Sequence, residues 1–309
     1  MVNVVGVVRR LTAADAEAVF AVALACDLVE LGEPDTELSD IAWGLGVDTA
    51  EWFGVDADDG GLSAYALAMK LPVHSHVEIE VRPAPGADES LGRLLLPVAR
   101  EAAARLAPGV GVHAFVHASD QVRPQWYLDA GGHQVRHFWR MAVDYDDAPP
   151  AAPKAAPDVD VVIVGTDEQR RRQVFDVVDA AFRDHFGHDP AHGWSYEDFD
   201  RRVRSADGHD PTLWWLATVD GRPAAALIGR GLPQMGFIDS LGTLQEWRGR
   251  GLGRMLLRTA FAELHARGYR RITLGVDAAN PTGAVALYES VGMRADQEWR
   301  VYELPPAIS

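Results

Sequence analysis

Apolar residues recur along this chain with two different periods. In Val77-Glu78-Ile79-Glu80-Val81 they alternate with glutamates, which predicts a half-buried strand. The stretch LGRLLLPVAREAAARL after it reads as a helix, GVHAFVHA as a strand, YLDAGGH as the end of a short helix and FWRMAVDY as a closing strand. Upstream, Thr12 supplies a helix N-cap. Further along, VDVVIV (Val159 to Val164) predicts a strand. Thr166 and the acidic residues after it predict the start of a helix whose apolar stripe is Val174, Phe175, Val178, Ala181 and Phe182. LWWLATV (Leu213 to Val219), the turn DGRP and AAALIGR predict a β-hairpin. A strand around Phe237 to Leu244, a helix from Leu252 to about Arg267, the strand RITLGVD, a short helix after Asn280 and a last strand, WRVYEL, close the second series.

The two series share one order of elements, and their glycines and tyrosines coincide at one offset. The spacing is 288 − 127 = 161 for Tyr127 and Tyr288, 292 − 131 = 161 for Gly131 and Gly292, and 253 − 92 = 161 for Gly92 and Gly253. An internal duplication is the simplest account. Between the series, DDAPPAAPKAAPD (Asp146 to Asp158) has nothing apolar enough to bury and predicts an extended spacer. The expected division is a first domain over 1–146, a linker over 147–157 and a second domain over 158–309, in keeping with a length of 309 residues.

Composition narrows the class. With 48% hydrophobic and 24% charged residues the chain is ordinary globular protein. The opening run MVNVVGVVRRL precedes its arginines and is too short for a signal peptide core or a membrane span, so a soluble, cytoplasmic protein is expected. The single cysteine, Cys26, excludes an internal disulfide and a paired-cysteine zinc site, and reads as packing. A net charge of −16 repels polyanions, which argues against nucleic-acid and acidic-membrane partners and favours a cationic small molecule.

The candidate chemistry lies in EWRGRGLGRMLL (Glu246 to Leu257). A phosphate-binding P-loop needs Lys and then Ser or Thr after its last glycine, where Arg254 and Met255 stand. A dinucleotide fingerprint from Gly249 needs glycine at position 254, which is arginine. What remains is Arg248-x-x-Gly251-x-Gly253 opening a helix, whose first-turn N–H groups and partial positive charge suit a pyrophosphate. Side chains at 249, 251 and 253 would block that approach, and Arg248, Arg250 and Arg254 add positive charge.

This loop, followed by LGVDAANPTGAVALYESVGM, resembles the two cofactor motifs of the GNAT acyltransferases, and the resemblance covers about Val159 to Leu304. It implies an α/β (α+β) fold of two GNAT-like domains, each a mixed, mostly antiparallel sheet flanked by helices. It implies acetyl-CoA as acyl donor, its pyrophosphate at Arg248, Gly249, Arg250, Gly251, Leu252, Gly253 and Arg254 and its pantetheine arm along Leu241 to Thr243. Tyr288 matches the family tyrosine that protonates the leaving thiolate. Asn280 matches the asparagine that contacts the arm, although Asn280-Pro281 is also an ideal helix start. The base departs from the pattern: many members, mycothiol synthases among them, have a glutamate eleven residues before the loop motif, where this chain has Phe237. Asp239, two residues on and on the same face of a regular strand, is the candidate base or amine anchor, while Ser240 faces away. HFGHDPAHGWSYEDFD, with His185, His188, His192, Trp194 and Tyr196, reads as a substrate-facing lid; its spacing matches no familiar zinc set, and no metal is expected.

The same offset sets Ala87, Asp88, Glu89 and Ser90 against Arg248, Gly249, Arg250 and Gly251, so the first half is expected not to use acetyl-CoA and to serve as scaffold or as a wall of the acceptor site. Acetyl-CoA-dependent N-acetylation of a small primary amine is the expected function. Two other readings are a non-catalytic acyl-CoA-binding regulator and a Fem-type aminoacyltransferase, the latter opposed by the cofactor loop and the charge. The sequence leaves a homodimer open.

Overall fold

Strands and helices alternate in the computed structural model, which describes residues 7–183, 185–189, 191–280 and 282–306. Residues 1–6 of the opening apolar run and Pro281 lie outside the described residues. In chain order the elements are β1 (Val8–Arg10), α1 (Ala16–Glu30), α2 (Leu38–Gly46), β2 (Ala50–Asp56), β3 (Leu62–Met69), β4 (Val77–Pro83), α3 (Ser90–Leu106), β5 (Val112–His117), α4 (Arg123–Asp129) and β6 (His133–Asp144). They continue with β7 (Val159–Ile163), α5 (Glu168–Phe182), α6 (Tyr196–Ser205), β8 (Trp214–Val219), β9 (Arg222–Gly231), β10 (Gly236–Thr243), α7 (Leu252–Ala266), β11 (Arg271–Asp277), α8 (Ala284–Glu289) and β12 (Arg294–Leu304). Residues 148–156 of the proline-alanine stretch carry neither helix nor strand. No described helix is long and apolar enough to cross a membrane.

Two compact units form, and they do not follow the expected boundaries. One takes the described residues up to His137 together with those from Trp299 onward; the other is Phe138–Glu298. In the first unit β1 to β4 pair antiparallel in order, β4 pairs parallel with β5, and β5 pairs antiparallel with Trp299–Leu304 of β12. In the second, β7 to β10 pair antiparallel in order, β10 pairs parallel with β11, and β11 pairs antiparallel with Phe138–Asp144 of β6. WRVYEL therefore does not close the second unit, nor FWRMAVDY the first: each closing strand completes the other unit. The two are repeat equivalents, since 299 − 138 = 161, and each presents the same kind of apolar edge to a strand that needs an antiparallel neighbour. Local pattern cannot distinguish them.

Period-two patterning divides each sheet between two cores. In β3, Ala64, Ala66 and Ala68 pack under α3 with Val77, Ile79 and Leu95, while Tyr65 and Leu67 face Val19, Ala23 and the buried Cys26 of α1. In β8, Trp215 and Ala217 pack with Leu256, Phe261 and Leu264 of α7, and Trp214 and Leu216 pack with Val174 and Val177 of α5. Helix starts differ in detail from expectation. Asp167, not Thr166, caps α5 by accepting from Arg170 N–H at 3.1 Å. The stretch read as an irregular lid ends in α6, whose cap Ser195 accepts from Asp198 N–H at 3.0 Å.

Candidate active site

β10 and β11 pair only through Gly236, Phe237 and Ile238, which face Ile272, Thr273 and Leu274. On its other edge β10 stays paired with β9 as far as Thr243, and β11 stays paired with β6 as far as Asp277. Past Ile238 and Leu274 the two strands therefore part, each held along its outer edge. A cavity of about 660 Å³ fills the gap, bordered by residues 238–243 and 274–277. Facing strand edges with backbone N–H and C=O groups to satisfy are suited to an extended ligand lying between them.

The parting starts at a β-bulge. Register against β9 steps from Ile238↔Gly229 to Ser240↔Ile228, which leaves Asp239 as the extra residue. The alternation that would put Ser240 on the far face is broken, and Asp239 and Ser240 both border the cavity. Asp239 is not a lone carboxylate: Arg230, 7% exposed, donates from Nε to Oδ2 at 2.6 Å and from Nη2 to Oδ1 at 3.1 Å. Arg230 also donates to the Asp207 carbonyl at 3.0 Å and lies 5.4 Å from the centre of the Phe237 ring.

The start of α7 borders the same cavity. Gly249 and Gly251 have φ of 78° and 77°, which side-chain-bearing residues adopt with strain, and a Cβ on either would meet nothing within 4 Å. Backbone is thus bare on the side where a ligand would lie. The first intrahelical bond runs from Met255 N–H to the Gly251 carbonyl at 3.0 Å, so the N–H groups of Leu252, Gly253 and Arg254 precede the helix ladder. Gly253 serves a different purpose: a Cβ there would sit 3.0 Å from Leu287 Cδ2, so the missing side chain lets α7 close on α8. Arg248 and Arg254 border the cavity, Arg248 Nε donating to the Thr243 carbonyl at 3.2 Å. Arg250 is not among the lining residues: it pairs with Asp158 at 2.6 Å and lies over the Trp247 ring at 5.5 Å.

Tyr288 on α8 reaches the cavity while 8% exposed, and burial pushes its phenol up to about 12. Asn280 borders the cavity too, but it does not cap α8. Its Oδ1 accepts from Thr282 N–H at 2.8 Å and from Thr282 Oγ1 at 2.5 Å, and the cap position belongs to Gly283 at φ 79°. Of the lid residues, His185 lies at the cavity with its ring 4.1 Å from that of Phe182, whereas His192 Nδ1 is 3.0 Å from Asp189 Oδ2, and Tyr196 packs against Phe175. No metal-competent group containing His185, His188 or His192 occurs among the described residues.

Residues 175–293 match the acetyltransferase (GNAT) family. Mycothiol acetyltransferases of Thermobispora bispora and Cellulomonas flavigena are similar over most of the chain. The first is 31% identical over 92% of this chain and 94% of the relative, the second 30% identical over 85% and 77%. The chain belongs to the GNAT acetyltransferase family. Among solved structures, a GCN5-related N-acetyltransferase from Sphaerobacter thermophilus shares 27% identity with it at a TM-score of 0.77, covering 98% of this chain and 97% of that one.

This GNAT acetyltransferase brings together, around one cavity, Asp239, Leu241, Thr243, Arg248, Gly249, Gly251, Leu252, Gly253, Arg254, Asn280 and Tyr288; Arg250 stands apart. The cavity also has walls that sequence reasoning missed. Phe138 comes from β6, outside the span of the family resemblance, and its ring centre is 6.5 Å from that of Phe186, another lining residue. Leu287 carried a signal that went unused: it immediately precedes Tyr288 on the helix that Gly253 approaches.

The first unit keeps the packing and differs at the helix start. Gly92 admits the Trp126 ring, which a Cβ would approach to 2.0 Å, as Gly253 admits Leu287, and 287 − 126 = 161. At the positions of Gly249 and Gly251 stand Asp88 and Ser90, and Asp88 Oδ1 accepts from Ser90 N–H at 2.8 Å. A carboxylate thus takes up an N–H at the start of α3, and that bond holds the Asp88 carboxyl below its usual range. Tyr127 is fully buried against Tyr302, ring centres 5.8 Å apart, in the hydrophobic core.

Proposed function

We propose that the second unit binds acetyl-CoA between β10 and β11 and transfers its acetyl group to a small primary amine. The observation that carries this reading is the junction of a parted strand pair with a helix N-terminus whose preceding glycines leave the backbone bare. Pyrophosphate fits the N–H groups of Leu252, Gly253 and Arg254 with Arg248 and Arg254 beside them, and the open edge from Leu241 to Thr243 fits an amide-bearing arm. Arg250, engaged by Asp158, is left out of the proposed anion site.

Acetyl-CoA supplies an activated thioester carbon open to attack by an unprotonated amine. Tyr288, whose phenol keeps its proton throughout the neutral range, is the group that can hand a proton to a departing sulfur. Asp239 serves as an anchor for the incoming amine, not as its base. Arg230 holds one site on each oxygen, and the carboxylate borders the cavity, where its negative charge attracts an incoming amine. In this reading a backbone N–H between Leu241 and Thr243 receives the thioester oxygen, a donor that needs no reorganisation as charge develops. The first unit, with Asp88 at the equivalent helix start, takes no acyl donor.

The names of the two relatives favour an acceptor of the mycothiol-precursor kind, although Phe237 stands where many family members have their glutamate. Thiol release from acetyl-CoA over a panel of amino sugars, cysteinyl amines, amino acids and peptides tests both levels. Release that depends on one class of amine supports transfer. Tight acetyl-CoA binding with no turnover on any amine would favour the regulator, and tRNA binding at physiological salt the aminoacyltransferase.

A further inference from the structure

The sequence HSHVE places His74, His76 and Glu78 at alternate positions leading into β4 of the first unit, far along the chain from every residue of the acyl-transfer site. One donor atom from each lies within 4.8 Å of the others. His74 Nδ1 is 3.2 Å and His76 Nε2 3.6 Å from the same oxygen, Oε1 of Glu78. Donors on a tetrahedral zinc ion, about 2.0 to 2.1 Å from the metal, stand roughly 3.3 Å apart. Both histidine-to-glutamate distances are close to that spacing.

Both rings lie within ion-pair range of Glu78, but their buried nitrogens lack hydrogen bonds of good geometry. His76 is 5% exposed, and neither of its ring nitrogens has a hydrogen-bond partner; His74 Nδ1 is likewise buried without one despite its distance from Glu78, because the pair is misaligned. Leaving such atoms unpaired costs about 1 to 3 kcal/mol each. The rings are stacked rather than splayed, His74 on His76 at 4.8 Å and His76 on His113 at 3.9 Å. His113, across the ladder from Glu78, keeps its Nε2 3.4 Å from Glu303. Lys70 Nζ donates to the carbonyl oxygens of Leu71 and His74 and so fixes the turn that carries His74. Glu78 also borders a cavity of about 330 Å³ with Glu80, Met69 and Phe115.

We propose that His74, His76 and Glu78 form a binding site for one divalent transition-metal ion, zinc in the first instance. Two imidazoles and a carboxylate are a known three-ligand zinc set, and an ion between them takes up one unpaired buried nitrogen of each ring. This site is independent of acyl transfer.

The full chain, stripped with chelator, re-equilibrated with zinc chloride and desalted, should retain one zinc ion per chain by elemental analysis. Glu78→Gln and His76→Gln should each weaken zinc binding by at least about 10-fold, the loss that even an outer partner of a ligand causes, while His192→Ala leaves it unchanged. Cobalt(II) in place of zinc should give the visible d–d bands of a four- or five-coordinate site, lost in Glu78→Gln. If His76→Gln lowers the metal-free unfolding midpoint, the half-exposed His74→Ala takes its place. No retained zinc and no cobalt spectrum in the unsubstituted chain would overturn the proposal. So would zinc that persists in Glu78→Gln or disappears with His192→Ala.

Discussion

Arg230 holds Asp239 by both carboxylate oxygens, at 2.6 and 3.1 Å, on the bulge where β10 leaves β11. Asparagine at 239 keeps the shape and removes the charge that Arg230 meets at two atoms. Because the Asp239 side chain is 29% exposed, Asp239→Asn should cost about 2 kcal/mol of stability, below the 3 to 5 of a fully buried pair. Steady-state kinetics should show KM for the amine raised about tenfold, the equivalent of roughly 1.4 kcal/mol, with acetyl-CoA affinity and kcat little changed. A collapse of kcat with KM unchanged would make Asp239 the base instead.

The glycines separate by experiment into two kinds. Gly251→Ala, at φ 77°, should cost about 1 to 2 kcal/mol locally and weaken acetyl-CoA binding measured by calorimetry. Gly92→Ala drives a methyl into the Trp126 ring and should destabilise the fold by about 1 to 3 kcal/mol while acetyl-CoA affinity stays as it was. Equal effects of the two substitutions on affinity would contradict the assignment of the cradle to one unit.

Tyr288→Phe should lower kcat by about 10²-fold or more with acetyl-CoA affinity retained, since only the transferable proton is removed. Burial raises the phenol from 10.0 to about 12, so the contribution of the neutral phenol to stability is complete below pH 10 and is lost as pH rises towards 12. An alkaline limb in the rate profile that belongs to Tyr288 therefore falls near 12, and one centred several units lower would belong to the amine or another group.

Asp296 provides an acid-side test. Burial opposes its charge, but Arg271 at 2.6 Å and Arg140 at 3.1 Å outweigh that and hold its carboxyl below 3.8. The folded-state value being the lower one, this stability is present above the ordinary carboxylate range and disappears as pH falls through it. Urea midpoints of Asp296→Asn and the unsubstituted chain should differ at neutral pH and draw together as pH falls below the ordinary carboxylate range.

Much of the second unit could be read from residue order, because its signals are local. RITLGVD is β11 to the residue, and the helix expected from Leu252 to about Arg267 runs from Leu252 to Ala266. Asp88 and Glu89 stood at a helix start in plain sight, and the expectation that the first half takes no phosphate rests on them. The metal-competent cluster was also present as HSHVE, but alternating residues next to a strand carry that meaning only once their donor atoms are seen to lie close together.

Local chemistry, then, determined the elements, the duplication and the glycine-preceded start of α7, since capping, period and glycine conformation act over a few residues. Tertiary structure decided which of two equivalent closing strands completes which unit, because Phe138 and Trp299 offer the same kind of edge and only the ladder selects between them. It also decided the fate of individual charges. Asp239 lies on a bulge against Arg230 and Arg250 is drawn off to Asp158, and both outcomes depend on partners brought close by the sheet and not by the chain's own order.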